Sequence, residues 1–151
     1  MANFETIEQI QLIISQLLNK AGLETTVEFE DSLKQGLIFN ITSRDSRMLI
    51  GRQGSTLHAL DTLVHAIVAK KFAGQDAMVR FTLDVDDYKR KREWWLKENA
   101  RNAAEQVVRS GHEIVLDPMP NYERRIVHAY LQEYHPEIVT ESQGRDPDRR
   151  I

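Results

Sequence analysis

The residues best suited to bind a ligand form a glycine-rich turn, in which Ile50 is followed by Gly51, Arg52, Gln53 and Gly54. The two glycines allow the backbone to turn tightly and let a ligand approach the main chain. Helical periodicity resumes directly after the turn, so the N-terminus of a helix presents free N–H groups and its positive dipole end there. A phosphodiester backbone is the natural ligand for such a turn. Taken alone, two glycines at this spacing more often form a simple turn between helices.

A second candidate set lies at Arg124 and His128, which are four positions apart, with Arg125 adjacent. On a helix this spacing places Arg124 and His128 on one face. A guanidinium and an imidazole on one face can bind neighbouring phosphates, or one phosphate and a base. By itself the pair is more often an ordinary solvated face, and the sequence leaves the charge of His128 at neutral pH open.

Basic residues also cluster at positions 89–92 and at the C-terminus, where Lys89, Arg90 and Arg149 are candidates for binding. Positive charge in the first turn of a helix opposes the helix dipole, so stability does not explain the cluster at 89–92. Trp94 shares a helix face with Arg90, and an aromatic ring among cations can stack a base. Packing of Trp94 against the first half of the chain, or against a partner, explains an aromatic residue at this position about as well.

Residue types exclude several classes of site. The chain has no cysteine, so disulfides, thiolate metal sites and cysteine nucleophiles are excluded. The sequence lacks a Walker loop, a G-x-S-x-G motif and an H-E-x-x-H motif. Asp84 and Asp86 are expected to point outward at a strand end, and His58 and His65 lack a third ligand. We therefore expect no catalytic residue, no metal and no cofactor.

Length and charge are those of a globular protein with one domain or two small ones. The chain has 151 residues and a net charge of -3, which argues against nucleic-acid binding through bulk positive charge and requires local patches. Residues 1–86 carry 8 basic and 11 acidic residues, whereas residues 87–151 carry 12 of each. We place the domain boundary there. The sequence shows neither a membrane-spanning apolar run nor a signal peptide, so a cytoplasmic location is expected.

The periodicity of apolar residues predicts an α+β fold. In the first half, helices are expected over residues 4–21, 43–50 and 57–71, and strands over residues 25–29, 37–41 and 79–85. The second half is expected to contain a long helix bounded by Asp87 and Gly111, and a helix over residues 121–134 capped by Asn121. Short strands are expected at 114–116 and 138–142, with a returning strand at the C-terminus. The glycine turn thus lies between two helices.

The predicted order helix, strand, strand, helix, helix, strand is that of a type II KH domain, whose G-x-x-G loop clamps about four backbone nucleotides. The chain resembles the Jag (KhpB, SpoIIIJ-associated) family of bacterial RNA-binding proteins. The resemblance rests on the blocks LIGRQGSTLHALDTLVHAIV, LDVDDYKRKRE, LDPMPNYERRIVHAYLQ and VTESQGRDPDRR. In that family a KH domain, here residues 1–86, precedes a small α/β domain, here residues 87–151. The second domain is named R-three-H for its Arg-x-x-x-His signature, which falls on Arg124 and His128.

The resemblance implies a post-transcriptional regulator that binds single-stranded RNA and is linked to cell elongation and division. It also implies a homodimer, or a heterodimer with a smaller KH-domain protein. The family more often carries polar residues at the position of Trp94, so it assigns that residue no role. Single-stranded DNA stays open as a ligand, because neither motif shows a group that must contact the 2′-hydroxyl. The competing class is a protein-interaction module that pairs KH surfaces and binds nucleic acid weakly or incidentally.

Overall fold

The structure is a computed structural model that describes residues 4–32, 36–74 and 79–151. The chain divides into two units, Met1–Lys89 and Arg90–Ile151. The turn expected near residue 34 lies outside the described residues. Within the described ranges, no helix combines the length and the apolar character that crossing a membrane requires.

In the first unit, the described elements follow the order that the sequence predicts. They are α1 (Phe4–Lys20), β1 (Thr25–Ser32), β2 (Gly36–Ser43), α2 (Ser46–Ile50), α3 (Ser55–Lys71) and β3 (Phe81–Val85). A single 3-10 turn, Arg52–Gly54, joins α2 to α3. The glycine turn therefore connects a five-residue helix to a 17-residue helix.

The sheet of the first unit has the order β1-β2-β3, in which β2 is antiparallel to β1 and parallel to β3. The apolar residues of β2 and β3 lie opposite one another, as Leu37 with Phe81, Phe39 with Leu83, and Ile41 with Val85. Residues two apart on a strand share a face, so these side chains form one apolar surface. Helices α1 and α3 pack Ile10, Ile14, Leu57 and Val64 into the same core. Burial of each such side chain contributes about 1.5–3 kcal/mol.

Side chains of α3 cover the backbone of the edge strand β3. The Leu83 N–H donates to Asp61 Oδ1 at 2.7 Å, and His65 Nε2 is hydrogen-bonded to the Phe81 carbonyl oxygen at 3.0 Å. The His65 ring also stacks on the Phe81 ring, with centroids 4.0 Å apart. These contacts satisfy backbone groups that an edge strand leaves open. His65 therefore supports the sheet.

The expectation that Asp84 points outward is wrong, because its side chain is only 9% exposed. Its Oδ1 accepts the backbone N–H groups of Val85 at 2.8 Å and Lys89 at 3.1 Å. Burial raises the pKa of Asp84 above its ordinary value, while these two hydrogen bonds act in the opposite direction. Because Lys89 lies in the first turn of the next helix, Asp84 acts as a cap for that helix.

The second unit is built on two helices with a separate core. Helix α4 (Tyr88–Ser110) begins in the last residues of the first unit and continues into the second, and α5 is Asn121–Tyr134. Leu96, Ala100 and Ala104 of α4 pack with Val127 and Leu131 of α5. The expected cap at Asn121 is wrong, because Asn121 is the first residue of α5 and Pro120 occupies the cap position.

Within the described residues, the strands expected at 114–116 and 138–142 do not form, and the C-terminal strand is reduced to one bridge between Gln143 and Arg150. Separate hydrogen bonds still connect these segments, such as that from the Leu116 N–H to the Ile151 carbonyl oxygen at 2.7 Å. Pro118, two positions after the first segment, supplies no N–H group, so regular pairing cannot continue through it. Consecutive ladder pairs, which define a strand, are therefore not reached.

Candidate nucleic-acid interface

The backbone of the glycine turn adopts conformations that favour glycine. Gly51 has φ 71° and ψ -175°, a region essentially restricted to glycine. Gly54 has φ 79° and ψ 10°, and Gln53 between them has φ 52°. A Cβ atom at Gly51 would lie 2.9 Å from the Thr56 backbone nitrogen, which is closer than real Cβ atoms approach. The turn therefore requires a residue without a Cβ atom at both ends.

Gly54 is buried beneath Tyr88, the first residue of α4. A Cβ atom at Gly54 would lie 2.8 Å from Tyr88 Cε1, and Tyr88 packs against the core of the first unit. The absence of a side chain at Gly54 thus makes room for Tyr88. As a result, the glycine turn and the start of the basic helix are neighbours within the first unit.

The side chains of the turn differ in their exposure. Arg52 is exposed, Gln53 is half-buried, and Ile50 is half-buried against the core of the first unit. Helix α3 begins immediately after Gly54, and a helix N-terminus favours a nearby anion by about 0.3–1 kcal/mol. At the start of α3 the turn therefore combines main-chain groups with the charged side chain of Arg52 and the apolar side chain of Ile50.

The basic cluster at 89–92 separates into residues with different surroundings. Lys89 Nζ donates a hydrogen bond to Thr82 Oγ1. Arg92 turns inward and makes two hydrogen bonds to the buried carboxylate of Glu123, at 2.8 and 2.9 Å. Arg90 and Lys91 are exposed on α4. Arg92 therefore contributes to the core of the second unit, and the exposed charge of the cluster lies at Lys89, Arg90 and Lys91.

Arg124, which the sequence offers as a contact to nucleic acid, is only 4% exposed. Its Nη1 atom donates to the Met119 carbonyl oxygen at 2.8 Å and lies 3.3 Å from Asp146 Oδ1. The guanidinium thus ties the loop before α5 to the segment near the C-terminus. Helical spacing places Arg124 and His128 on one face, as expected, but that face is covered at Arg124.

His128 is partly buried and lies between two hydroxyl groups. Its Nδ1 is 2.7 Å from Thr140 Oγ1, and its Nε2 is 2.9 Å from Ser142 Oγ. Burial lowers the pKa of His128 below 6.5, and the charge of Arg124 adds to the effect. The lowered pKa therefore favours the neutral form of His128 at pH 7. It lines an open cavity of about 560 Å³ together with Gln132, Pro136, Ile138 and Thr140.

Two further cations of the second unit lie near the surface. Arg125 is exposed on α5, and Arg149 is half-buried. In the part of the chain that the structure describes, Arg149 Nε has no hydrogen-bond partner. Among all residues that the structure describes, no group of histidine and acidic side chains could hold a metal ion. The hydroxyl partners of His128 were not anticipated from the sequence, because they lie 12 and 14 positions away in an irregular segment.

Comparison with known proteins matches residues 95–151 to the R-three-H domain, a segment that contains Arg124 and His128. The chain is also similar to proteins named RNA-binding protein KhpB. It is 38% identical to that of Lactiplantibacillus plantarum over 121 residues, which are 80% of this chain and 33% of the relative. It is 35% identical to that of Clostridium symbiosum, over 86% of this chain and 56% of the relative. It is 32% identical to that of Bacillus subtilis, over 97% of this chain and 69% of the relative. The chain thus spans from one third to just over one half of the first two relatives.

Proposed function

Because the chain belongs to the KhpB family and carries an R-three-H domain, we propose that it binds single-stranded RNA and catalyses no reaction. The relatives are named RNA-binding proteins. A role in post-transcriptional regulation, linked by the family resemblance to cell elongation and division, completes the proposal.

We assign residues 1–86 to a type II KH domain and residues 87–151 to the second domain. Two features of the first unit support the KH assignment. Its elements follow the order helix, strand, strand, helix, helix, strand, and β2 pairs antiparallel with β1 and parallel with β3. The glycine turn lies between α2 and α3, where a KH domain clamps the nucleotide backbone.

The observation that carries the proposal is the backbone of this turn. Gly51 and Gly54 both have positive φ, and the next residues begin α3. Glycine at both positions lets the main chain turn tightly, so a phosphate can bind N–H groups at a helix N-terminus. In the proposed complex the Arg52 side chain makes an ionic contact with the phosphate. Ile50 contributes apolar surface beside the turn, where a base can bind.

Cations near the start of α4 and in the second domain are proposed as further contacts, each within its own unit. Lys89, Arg90, Arg125 and Arg149 supply charge for further phosphates. Arg124 acts indirectly, because its guanidinium holds the loop before α5 and is nearly fully buried. His128, whose neutral form is favoured at pH 7, hydrogen-bonds through both ring nitrogens to Thr140 and Ser142, so it acts as a packing and hydrogen-bonding residue in place of an ionic contact.

A second candidate function is pairing of the first unit with another KH domain, as a homodimer or with a smaller KH-domain protein. Leu12 on α1 is 53% exposed and Leu63 on α3 is 49% exposed, and a partner would cover such apolar side chains. Sedimentation equilibrium at high salt tests this function. An apolar dimer persists there and is weakened by Leu63→Glu, whereas RNA binding through phosphates weakens steeply with salt.

Fluorescence anisotropy with labelled single-stranded RNA and DNA of matched sequence tests the RNA-binding proposal. The test variant is Arg52→Asp/Gln53→Asp, which places negative charge against the phosphate. The control is Lys20→Asp/Asn19→Asp, which changes the net charge equally at the exposed end of α1. Circular dichroism establishes that both variants are folded.

We expect the turn variant to lose most of the salt-sensitive RNA affinity and the α1 variant to lose little of it. A folded turn variant with unchanged affinity would remove the glycine turn from the site. Absence of binding by the unaltered protein at low salt would contradict the proposed function and favour pairing. Equal affinity for the DNA strand would widen the ligand class to single-stranded nucleic acids.

A further inference from the structure

Helix α4 of the second unit presents a large aromatic side chain to solvent. Trp94 is 65% exposed, whereas Leu96, Ala100 and Ala104 of the same helix are buried in the core of the second unit. The exposed ring therefore contributes little to that core. An indole that stays in water carries a large apolar surface with no folding role in the described structure.

The neighbours of Trp94 on the helix surface are charged. Arg90 and Lys91 precede it by one turn, and Lys97 follows it by one turn. Lys97 is paired with Glu93 at 2.6 Å. The charged side chains on this helix face distinguish it from the contiguous apolar patch that a docked protein helix needs.

The adjacent residue Trp95 has a different environment, because a cation lies against one face of its ring. The guanidinium of Arg92 lies 4.5 Å from the centre of the Trp95 ring, and Arg92 is itself held by buried Glu123. One face of Trp95 is therefore occupied. Among the described residues, no ring or cation stacks on Trp94, so its faces are open to a planar ligand.

We propose that Trp94 is a stacking platform for a base of single-stranded nucleic acid, with the adjoining phosphates attracted by Arg90 and Lys91. This inference rests on the proposed RNA-binding function and adds to it a site outside both the glycine turn and the Arg-x-x-x-His signature. Every base has a π-face, so the contact is tolerant of sequence. The cations lie one turn away on the same helix face, where they attract phosphates that adjoin the stacked base.

Tryptophan fluorescence tests the stacking contact directly, because the chain has only two tryptophans. Trp95→Phe leaves Trp94 as the only tryptophan, and Trp94→Phe leaves only Trp95. The RNA carries a label whose anisotropy reports binding independently of either tryptophan. We expect RNA to quench the emission of the Trp95→Phe protein strongly and that of the Trp94→Phe protein weakly.

Affinity distinguishes stacking from apolar contact. Trp94→Leu keeps an apolar side chain but removes the ring, and we expect it to weaken RNA binding by about 5- to 140-fold, the range for loss of one stacked base. Trp94→Phe keeps a ring and should lose less. Because the side chain is largely exposed, both variants should retain the circular dichroism and urea midpoint of the unaltered protein.

The outcomes separate this inference from the function on which it rests. RNA binding without quenching of Trp94, or with equal affinity for the Trp94→Leu protein, would overturn the platform and leave RNA binding intact. No RNA binding by any of the folded proteins would overturn both. Quenching of Trp94 together with the loss in Trp94→Leu would establish the platform.

Discussion

Breaking the ion pair between Arg92 and Glu123 should destabilise the second unit far more than breaking an exposed pair of the same helix. Arg92 donates two hydrogen bonds, at 2.8 and 2.9 Å, to a carboxylate that is 0% exposed. Removal of Arg92 leaves that carboxylate buried without its cation, which costs about 3–5 kcal/mol. A domain has only about 5–15 kcal/mol of stability in total. Arg92→Met should therefore bring the second unit close to unfolding.

Urea unfolding followed by tryptophan fluorescence measures this loss, because Trp94 and Trp95 both lie on α4 within the second unit. Lys97→Met is the matched control. It breaks the Lys97–Glu93 pair, whose side chains are 43% and 46% exposed, and should cost less than about 1 kcal/mol. Loss of the Arg92 contact with the Trp95 ring adds only about 0.5–1 kcal/mol, so it does not account for the expected difference.

A double variant identifies the cause of the loss. Arg92→Met/Glu123→Leu buries no charge, so it should recover most of the stability that Arg92→Met removes. A loss below about 1 kcal/mol for Arg92→Met would refute the reasoning from burial. So would a double variant as unstable as the single one, because packing around Arg92 would then explain the effect.

Three further predictions concern the turn and the signature. Gly51→Ala should lower the free energy of unfolding in urea by at least about 1 kcal/mol more than Gly22→Ala does. Both glycines have positive φ, but of the two only Gly51 has atoms within reach of an added Cβ atom. Equal losses for the two variants would contradict this steric argument. Because the pKa of His128 is lowered, titration of this residue should not change the unfolding free energy above pH 6.5. The unfolding free energy should fall as the pH drops below that value, since the unfolded chain then binds the proton first. The difference in unfolding free energy between the unaltered protein and His128→Gln isolates this pH dependence. A difference that stays constant between pH 5 and 8 would contradict the prediction. Arg125→Ala should reduce the log-log salt slope of RNA binding by about 0.7, whereas Arg124→Ala should lower the unfolding free energy and leave the slope unchanged; a reduced slope for folded Arg124→Ala would show that it contacts phosphate.

Strong periodicity made the helices of this protein predictable. The helix expected over residues 4–21 is observed as Phe4–Lys20, because Ile10 and Ile14 recur at helical spacing and both become fully buried. The expected strands after α4 failed for the opposite reason. Residues 138–142 begin with three β-branched residues, yet a strand also needs a neighbouring strand, and local composition does not supply one.

The position of Asp84 shows a second limit of local pattern. Alternation with Leu83 and Val85 predicts that its side chain lies on the opposite face of the strand and is solvated there, yet Asp84 is buried. Asp86 and Asp87 then take positive φ values of 48° and 59°, and the chain turns back so that the Lys89 N–H reaches the Asp84 carboxylate. Two consecutive aspartates in left-handed conformations are uncommon, and the sequence carried no clear sign of them.

The same limit decides which cations belong to the candidate site. Arg92 and Arg124 read in the sequence like their exposed neighbours Arg90 and Arg125, but their partners lie 31 and 22 positions away, at Glu123 and Asp146. Spacing along a helix indicates which residues share a face, whereas the depth of each residue depends on distant segments. The inward arginines hold the loop and the helices that carry the outward ones. Loss of an inward arginine should therefore weaken binding through stability, and loss of an outward one through charge, which is why salt dependence separates two kinds of residue that composition treats alike.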